Sequence, residues 1–220
     1  NGTFQTFVTD IDGTSSRQIT FSDRDSFVLE VSPEGSRILL GSTKEDSDIW
    51  RLDLKTDKET AFASDINFEL WAAVSPDGRS VAYQSVKTLS QGNLFNGKLL
   101  VRKVDSAEQP VEVSPDGFLP AWSPDGQKIA FMEITGKVFR ISTVAAGGGQ
   151  KTTTTTGVTP ATYSILPYNR THTTDFSWSQ DSRRIAFRSN GGGRSNIFVA
   201  GFDGGEPIQI TSNEDARTYF

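Results

Sequence analysis

Cysteine is absent from the 220 residues, histidine and methionine occur once each, and no block of lysine or arginine is present. The lack of cysteine excludes disulfides, zinc-thiolate centres and thiol catalysis. A single histidine excludes metal sites built on several imidazoles. A Ser-His-Asp triad would have to use His172, and no Gly-x-Ser-x-Gly elbow accompanies it, so it reads as a loop histidine. The 22 basic and 27 acidic residues give a net charge of −5 and are dispersed, which argues against a nucleic-acid footprint. No run of 18 apolar residues occurs, so no helical membrane span is expected. No leader pattern opens the chain, as would also hold for a processed chain that had lost one. Helical 3.6-residue periodicity of useful length is missing too.

What the chain has instead is a repeat. Val31-Ser-Pro-Glu-Gly-Ser-Arg-Ile-Leu-Leu40 is followed by Val74-Ser-Pro-Asp-Gly-Arg-Ser-Val-Ala-Tyr83, then Trp122-Ser-Pro-Asp-Gly-Gln-Lys-Ile-Ala-Phe131 and Trp178-Ser-Gln-Asp-Ser-Arg-Arg-Ile-Ala-Phe187. The serines at 32, 75, 123 and 179 are 43, 48 and 56 residues apart. Self-similarity at this period signals an array of one supersecondary unit. Ser-Pro-Asp-Gly suits a type I turn: serine opens it, proline pre-sets φ, and glycine supplies the left-handed residue that starts the next strand, as in three-residue hairpin loops. A short apolar strand precedes each turn and an alternating strand follows it. A third strand comes next (as in Ile197–Phe202), and then a second turn, clearest at Asp203-Gly-Gly205. A fourth strand follows, as in Pro207-Ile-Gln-Ile-Thr211. Four antiparallel strands per unit make a propeller blade. The fold class is therefore all-β, a β-propeller in one domain. Its units are about 21–64, 65–113, 117–158 and 174–211, with partial units at 1–20 and 212–220.

The pattern apolar-Trp-Ser-Pro-Asp-Gly-x-x-Ile-Ala-Phe, then Asp-Gly-Gly, then Ile-Thr, resembles the WD-like repeat of the TolB family. Similar repeats occur in propellers of prolyl-oligopeptidase-type peptidases and in bacterial sensor proteins. The resemblance covers nearly the whole chain and implies the fold. It also implies a periplasmic or extracellular setting, with the cytoplasm left open, and it carries no binding residues with it.

Residues 7–13 and 19–20 match 198–204 and 210–211 at an offset of 191. The chain thus opens on the second half of a blade. It reads as part of a larger ring, or as five blades if the two ends combine. The first reading is favoured because neither end supplies the Ser-Pro-Asp-Gly hairpin.

Aspartates 77, 116 and 125 recur with the turns and are read as turn chemistry rather than catalysis. Trp50, Trp71, Trp122, Phe131, Phe187 and Phe198 are read as inter-blade core. Glu45, Asp46 and Asp48 match no calcium-loop spacing and read as a solvated acidic turn. Function is sought where the repeat is interrupted, at 84–98 and 157–175, two connections expected on one face of the ring. The candidate binding residues are Lys87, Asn93, Phe95 and Asn96 in the first, and Tyr163, Tyr168, Asn169, Arg170 and His172 in the second. Loop-length drift is the competing account of both. No catalytic residue, cofactor or metal is assigned. The expectation is a non-enzymatic binding, scaffold or sensory module with a protein or peptide partner, and the alternative is an accessory propeller of a serine peptidase.

Overall fold

The computed structural model describes residues 3–43, 47–87, 97–136, 138–158, 176–189 and 196–212. Its strands form one two-stranded and four four-stranded antiparallel sheets. The first pair is β1 (Phe7–Thr9) and β2 (Ser16–Gln18). Blade 1 holds β3 (Asp25–Val31), β4 (Arg37–Thr43), β5 (Ser47–Asp53) and β6 (Lys58–Ala63). Blade 2 holds β7 (Phe68–Val74), β8 (Ser80–Val86), β9 (Lys98–Lys103) and β10 (Val111–Ser114). Blade 3 holds β11 (Phe118–Trp122), β12 (Lys128–Thr135), β13 (Val138–Ala145) and β14 (Thr152–Val158). Blade 4 holds β15 (Phe176–Trp178), β16 (Arg184–Ser189), β17 (Asn196–Gly201) and β18 (Gly204–Gln209). Each sheet is ordered as its strands follow in sequence, and the chain is an all-β propeller array as the repeat implied.

The core lies between blades. Along β12 the run Ile129, Ala130, Phe131, Met132 is wholly buried. Ile129 and Phe131 pack with Ala82, Leu99 and Val113 of blade 2. Ala130 and Met132 pack with Phe176, Ile185 and Phe187 of blade 4. Alternate side chains of one strand point to opposite sheet faces, so a strand sandwiched by two neighbours must be apolar throughout.

The repeated turn is built by its serine and aspartate together. Ser75 Oγ donates to Asp77 Oδ1 (2.6 Å) and accepts the Ser80 amide (2.9 Å), while Asp77 Oδ1 accepts the Arg79 amide (3.0 Å). Ser123 with Asp125 and Ser179 with Asp181 repeat the arrangement. These bonds, the serine hydroxyl's foremost, hold the three carboxyls below the usual range. The loop closes by the Ser75 amide on the Ser80 carbonyl, leaving four residues between them rather than the three of the commoner hairpin loop. Gly35, Gly78 and Gly126 have φ of 68–71°, and Ser182 takes that place in blade 4 at 57°. Ser182 offsets its backbone cost by accepting the Asp125 amide from the neighbouring turn (3.0 Å). Ser123 is fully buried and satisfies the Lys128 amide, so Ser123→Ala is expected to lower stability by about 1–2 kcal/mol. Urea denaturation checks this, and an unchanged midpoint would refute the role.

Tryptophans fasten successive blades. Trp122 Nε1 donates to the Ala73 carbonyl of blade 2 (3.0 Å), and Trp178 Nε1 donates to the Ala121 carbonyl of blade 3 (3.1 Å). At the equivalent joint of blades 1 and 2, where Val74 replaces tryptophan, the Val74 amide donates to Glu30 Oε2 instead.

The β1–β2 pair is the outer half of a blade. The Ile19 amide bonds the Thr6 carbonyl (2.9 Å) as that of Ile210 bonds Ile197 (2.8 Å), and Thr20 and Thr211 each accept the Thr6 or Ile197 amide at 2.9 Å. Phe198 stacks on Phe187 of β16, but its counterpart Phe7 pairs only with β2 among the described strands and is 57% exposed.

Candidate functional site

Of the candidate binding residues, Lys87 is exposed just beyond β8. Asn93, Phe95, Asn96, Tyr163, Tyr168, Asn169, Arg170 and His172 lie outside the described residues, so the structure neither gathers nor separates them. Both interrupted connections follow even-numbered positions in their blades, after β8 and after β14. In an antiparallel order this is the end opposite the Ser-Pro-Asp-Gly turns.

Two acidic readings need correction. Asp116 shares the Ser-Pro-Asp-Gly string but belongs to the connection from β10 to β11, not to a hairpin within a blade. There it pairs with Lys151 (2.9 Å), which also contacts buried Glu133 (2.5 Å). Gly117, at φ 151°, is needed because a Cβ would lie 2.6 Å from the Phe131 ring. Asp48 is not in a solvated turn. It is 5% exposed within β5 and pairs with Arg24 at 3.3 Å. Among the described residues, no three His, Asp or Glu side chains gather as a metal would require.

The structure opens a cavity elsewhere. The first strands β3, β7 and β11 of three successive blades lie side by side. They wall a cavity of about 570 Å³ that reaches the turn residues Pro33 and Pro76. Its lining is mostly apolar, with Leu29, Trp71, Leu119, Pro120 and Trp122 prominent, and Glu30 as its one ionisable side chain. It thus sits at the end of the blades that carries the regular turns, not the interrupted loops.

Irregular backbone surrounds it. Each of the three strands slips register here: between Val28 and Glu30, between Leu70 and Ala73, and between Phe118 and Ala121. Such bulges re-aim side chains. Trp71 and Leu119, four residues before their turn serines, have φ of 48° and 50°. Side chains of this size hold a left-handed backbone only under strain of about 1–3 kcal/mol. Trp71 is partly repaid by the Phe118 ring, 5.4 Å away between centroids.

The electrostatics centre on Glu30. Burial pushes its carboxyl above the usual range, and the Val74 amide only partly opposes this. Oε2 takes that amide, while Oε1 makes no hydrogen bond among the described residues. The sequence marks this residue by its departure from the repeat. At its repeat position the other units carry Ala73, Ala121 and Ser177, so an acid there is peculiar to the joint of blades 1 and 2, where it takes the Val74 amide. Trp71 is equally singular, against Val28, Leu119 and Asp175.

No protein-family model and no curated protein matches the chain. Solved structures do. TolB from Acinetobacter baumannii aligns with a TM-score of 0.61 at 17% identity, over 91% of this chain and 46% of that one. A putative TolB from Agrobacterium tumefaciens aligns with 0.64 at 20% identity, over 93% of this chain and 68% of that one. A puromycin hydrolase aligns with 0.68 at 13% identity, over 96% of this chain and 35% of that one. The chain has the TolB-like β-propeller fold. It spans less than half the length of the first TolB and about a third of the hydrolase.

Proposed function

We propose that this chain is a non-enzymatic binding module, a scaffold or sensory part of a larger bacterial envelope or signalling protein, and that it takes a protein or peptide partner in the cavity walled by β3, β7 and β11. The observation that carries this is the cavity itself: about 570 Å³, concave, walled by three blades and lined by apolar and aromatic side chains around one carboxylate. The candidates in 84–98 and 157–175 are proposed as an additional contact surface at the other end of the blades. The periplasmic or extracellular setting belongs to the same proposal and rests on the TolB-like fold.

The test is capture of peptides from a random array, followed by Ala73→Phe, which fills the cavity from its wall. Captured peptides are expected to lose at least tenfold in affinity to the variant. Full retention would move the site away from this cavity, and alanine substitution of Phe95, Tyr168 and Arg170 would then locate it.

A second reading, an accessory propeller beside a serine-peptidase domain, is favoured by the alignment of 96% of the chain with a puromycin hydrolase. It requires an α/β-hydrolase segment in the same coding sequence, and a full-length reading frame without one would remove it.

A further inference from the structure

The geometry points to a basic side chain, lysine or arginine, of an extended partner peptide as the group seated between Glu30, Trp71 and Trp122. This rests on the cavity of β3, β7 and β11 being the binding site and names what that site selects.

Three observations carry it. The first is charge: among the described residues Glu30 is the one ionisable side chain of a mostly apolar wall, it is half-buried, and only its Oε2 is hydrogen-bonded there. A carboxylate so placed has lost solvent without gaining a counter-charge, and an arriving cation supplies it. The second is the surroundings. Trp71 and Trp122 line the same cavity, and tryptophan faces attract ammonium and guanidinium groups. Apolar surface at Leu29, Leu119 and Pro120 suits the methylene stem of a lysine or arginine, which buries its carbons while its head seeks charge. The third is singularity. Glu30 and Trp71 are each found once in four copies of their repeat positions, and Trp71 is held at φ 48° beside the cavity. Glu30 takes the Val74 amide at the joint of blades 1 and 2, whereas the remaining units carry alanine or serine in its place, and valine, leucine or aspartate in that of Trp71.

A peptide rather than a free amine is the occupant because of size. About 570 Å³ exceeds one basic side chain several-fold, and the lining is spread over three neighbouring strands and the turn residues Pro33 and Pro76. An extended segment fills this volume, with its basic residue at Glu30 and apolar neighbours along the wall.

The experiment follows tryptophan fluorescence while the chain is titrated with three acetylated, amidated pentapeptides, Ala-Leu-X-Leu-Ala, where X is arginine, lysine or norleucine, and with arginine amide alone. The basic pentapeptides are expected to bind at least tenfold more tightly than the norleucine peptide and than arginine amide. Glu30→Gln, checked for folding by its thermal midpoint, is expected to abolish the preference while leaving norleucine-peptide binding in place. If the norleucine peptide binds as well as the basic ones, or if Glu30→Gln keeps the preference, the basic subsite is wrong while the cavity stands. If arginine amide equals the pentapeptides, the occupant is a small cation and the peptide assignment falls. If no probe binds, the cavity reading falls and this inference with it.

Discussion

Lys151→Met is expected to destabilise the protein by about 2–3 kcal/mol at pH 7, the largest loss from any single exposed-to-buried ion pair described above. Glu133 is 4% exposed on β12, and its carboxylate is held by the Lys151 ammonium (2.5 Å) and the Ser142 hydroxyl (2.5 Å). Burial alone would pull the Lys151 ammonium down, but hydrogen bonds to Glu133 and then Asp116 outweigh it and hold the ammonium above its usual range. Removing the cation leaves a buried carboxylate with one hydroxyl. An orphaned buried charge usually costs about 3–5 kcal/mol. The figure is set lower because Lys151 is 35% exposed and water can follow it in. Glu133→Gln in the same chain is expected to restore most of the loss, since the amide keeps a bond to Ser142 and carries no charge. Asp116→Asn, at a carboxylate 48% exposed, is expected to change little. Urea denaturation of the three variants checks the order, and equal midpoints for Lys151→Met and the parent would remove Lys151 from any structural role.

The second large effect is expected at Glu69 and runs with pH. Glu69 is 2% exposed near the start of β7, and no hydrogen bond of ordinary geometry reaches either carboxylate oxygen. Burial, then the charges of Asp65 and Asp48, push its carboxyl up to about 7. Ser85 across on β8 and the Asp65 backbone soften this only slightly, and Tyr83 lies close enough for its own hydroxyl to be pushed up to about 12, mainly by burial. Arg24 pairs with Asp48 of this group of acids at 3.3 Å. The folded chain therefore binds the Glu69 proton more tightly than the unfolded chain, whose glutamate titrates near its ordinary value. The stability this contributes is complete below about pH 4.5 and is lost as pH rises through about 7. Glu69→Gln removes the dependence. The variant is expected to match or fall slightly below the parent at pH 4.5 and to exceed it at pH 8 by about 2 kcal/mol, with about 3 as the ceiling. Denaturation midpoints at the two pH values test this, and a variant that loses stability with pH as steeply as the parent would sink it.

What could be read in the chain beforehand follows from the range of the forces involved. The Ser-Pro-Asp-Gly turns were legible because their bonds close within six residues, Ser75 to Ser80, so local sequence holds all the chemistry. The half-blade at the start was legible because Thr6, Ile19 and Thr20 repeat the spacing of Ile197, Ile210 and Thr211. Asp116 was misread because the same four-residue string serves two purposes. Only its position nine residues ahead of the true hairpin at Ser123 separates them, and its Lys151 partner is 35 residues away. The cavity was not legible at all. It exists only where Glu30, Trp71 and Trp122, each from a different blade, are brought to one wall. Burial of Glu69 and Glu133 was hidden for the same reason: an acid in an alternating strand looks solvent-facing until a neighbouring blade covers it.

The direction of the tryptophan fastenings has a consequence for how such a chain can grow. Trp122 and Trp178 each reach back to a carbonyl of the unit before, so the later unit brings the fastener and the earlier one offers only backbone. A duplicated segment of coding sequence inserted here would arrive already equipped to attach, because every possible predecessor has a carbonyl to offer. Copy number is then free to drift during evolution without matching changes on both sides of each joint. The joint of blades 1 and 2, fastened the opposite way by Glu30, is the one place where such an insertion would separate a residue from the partner it was selected with.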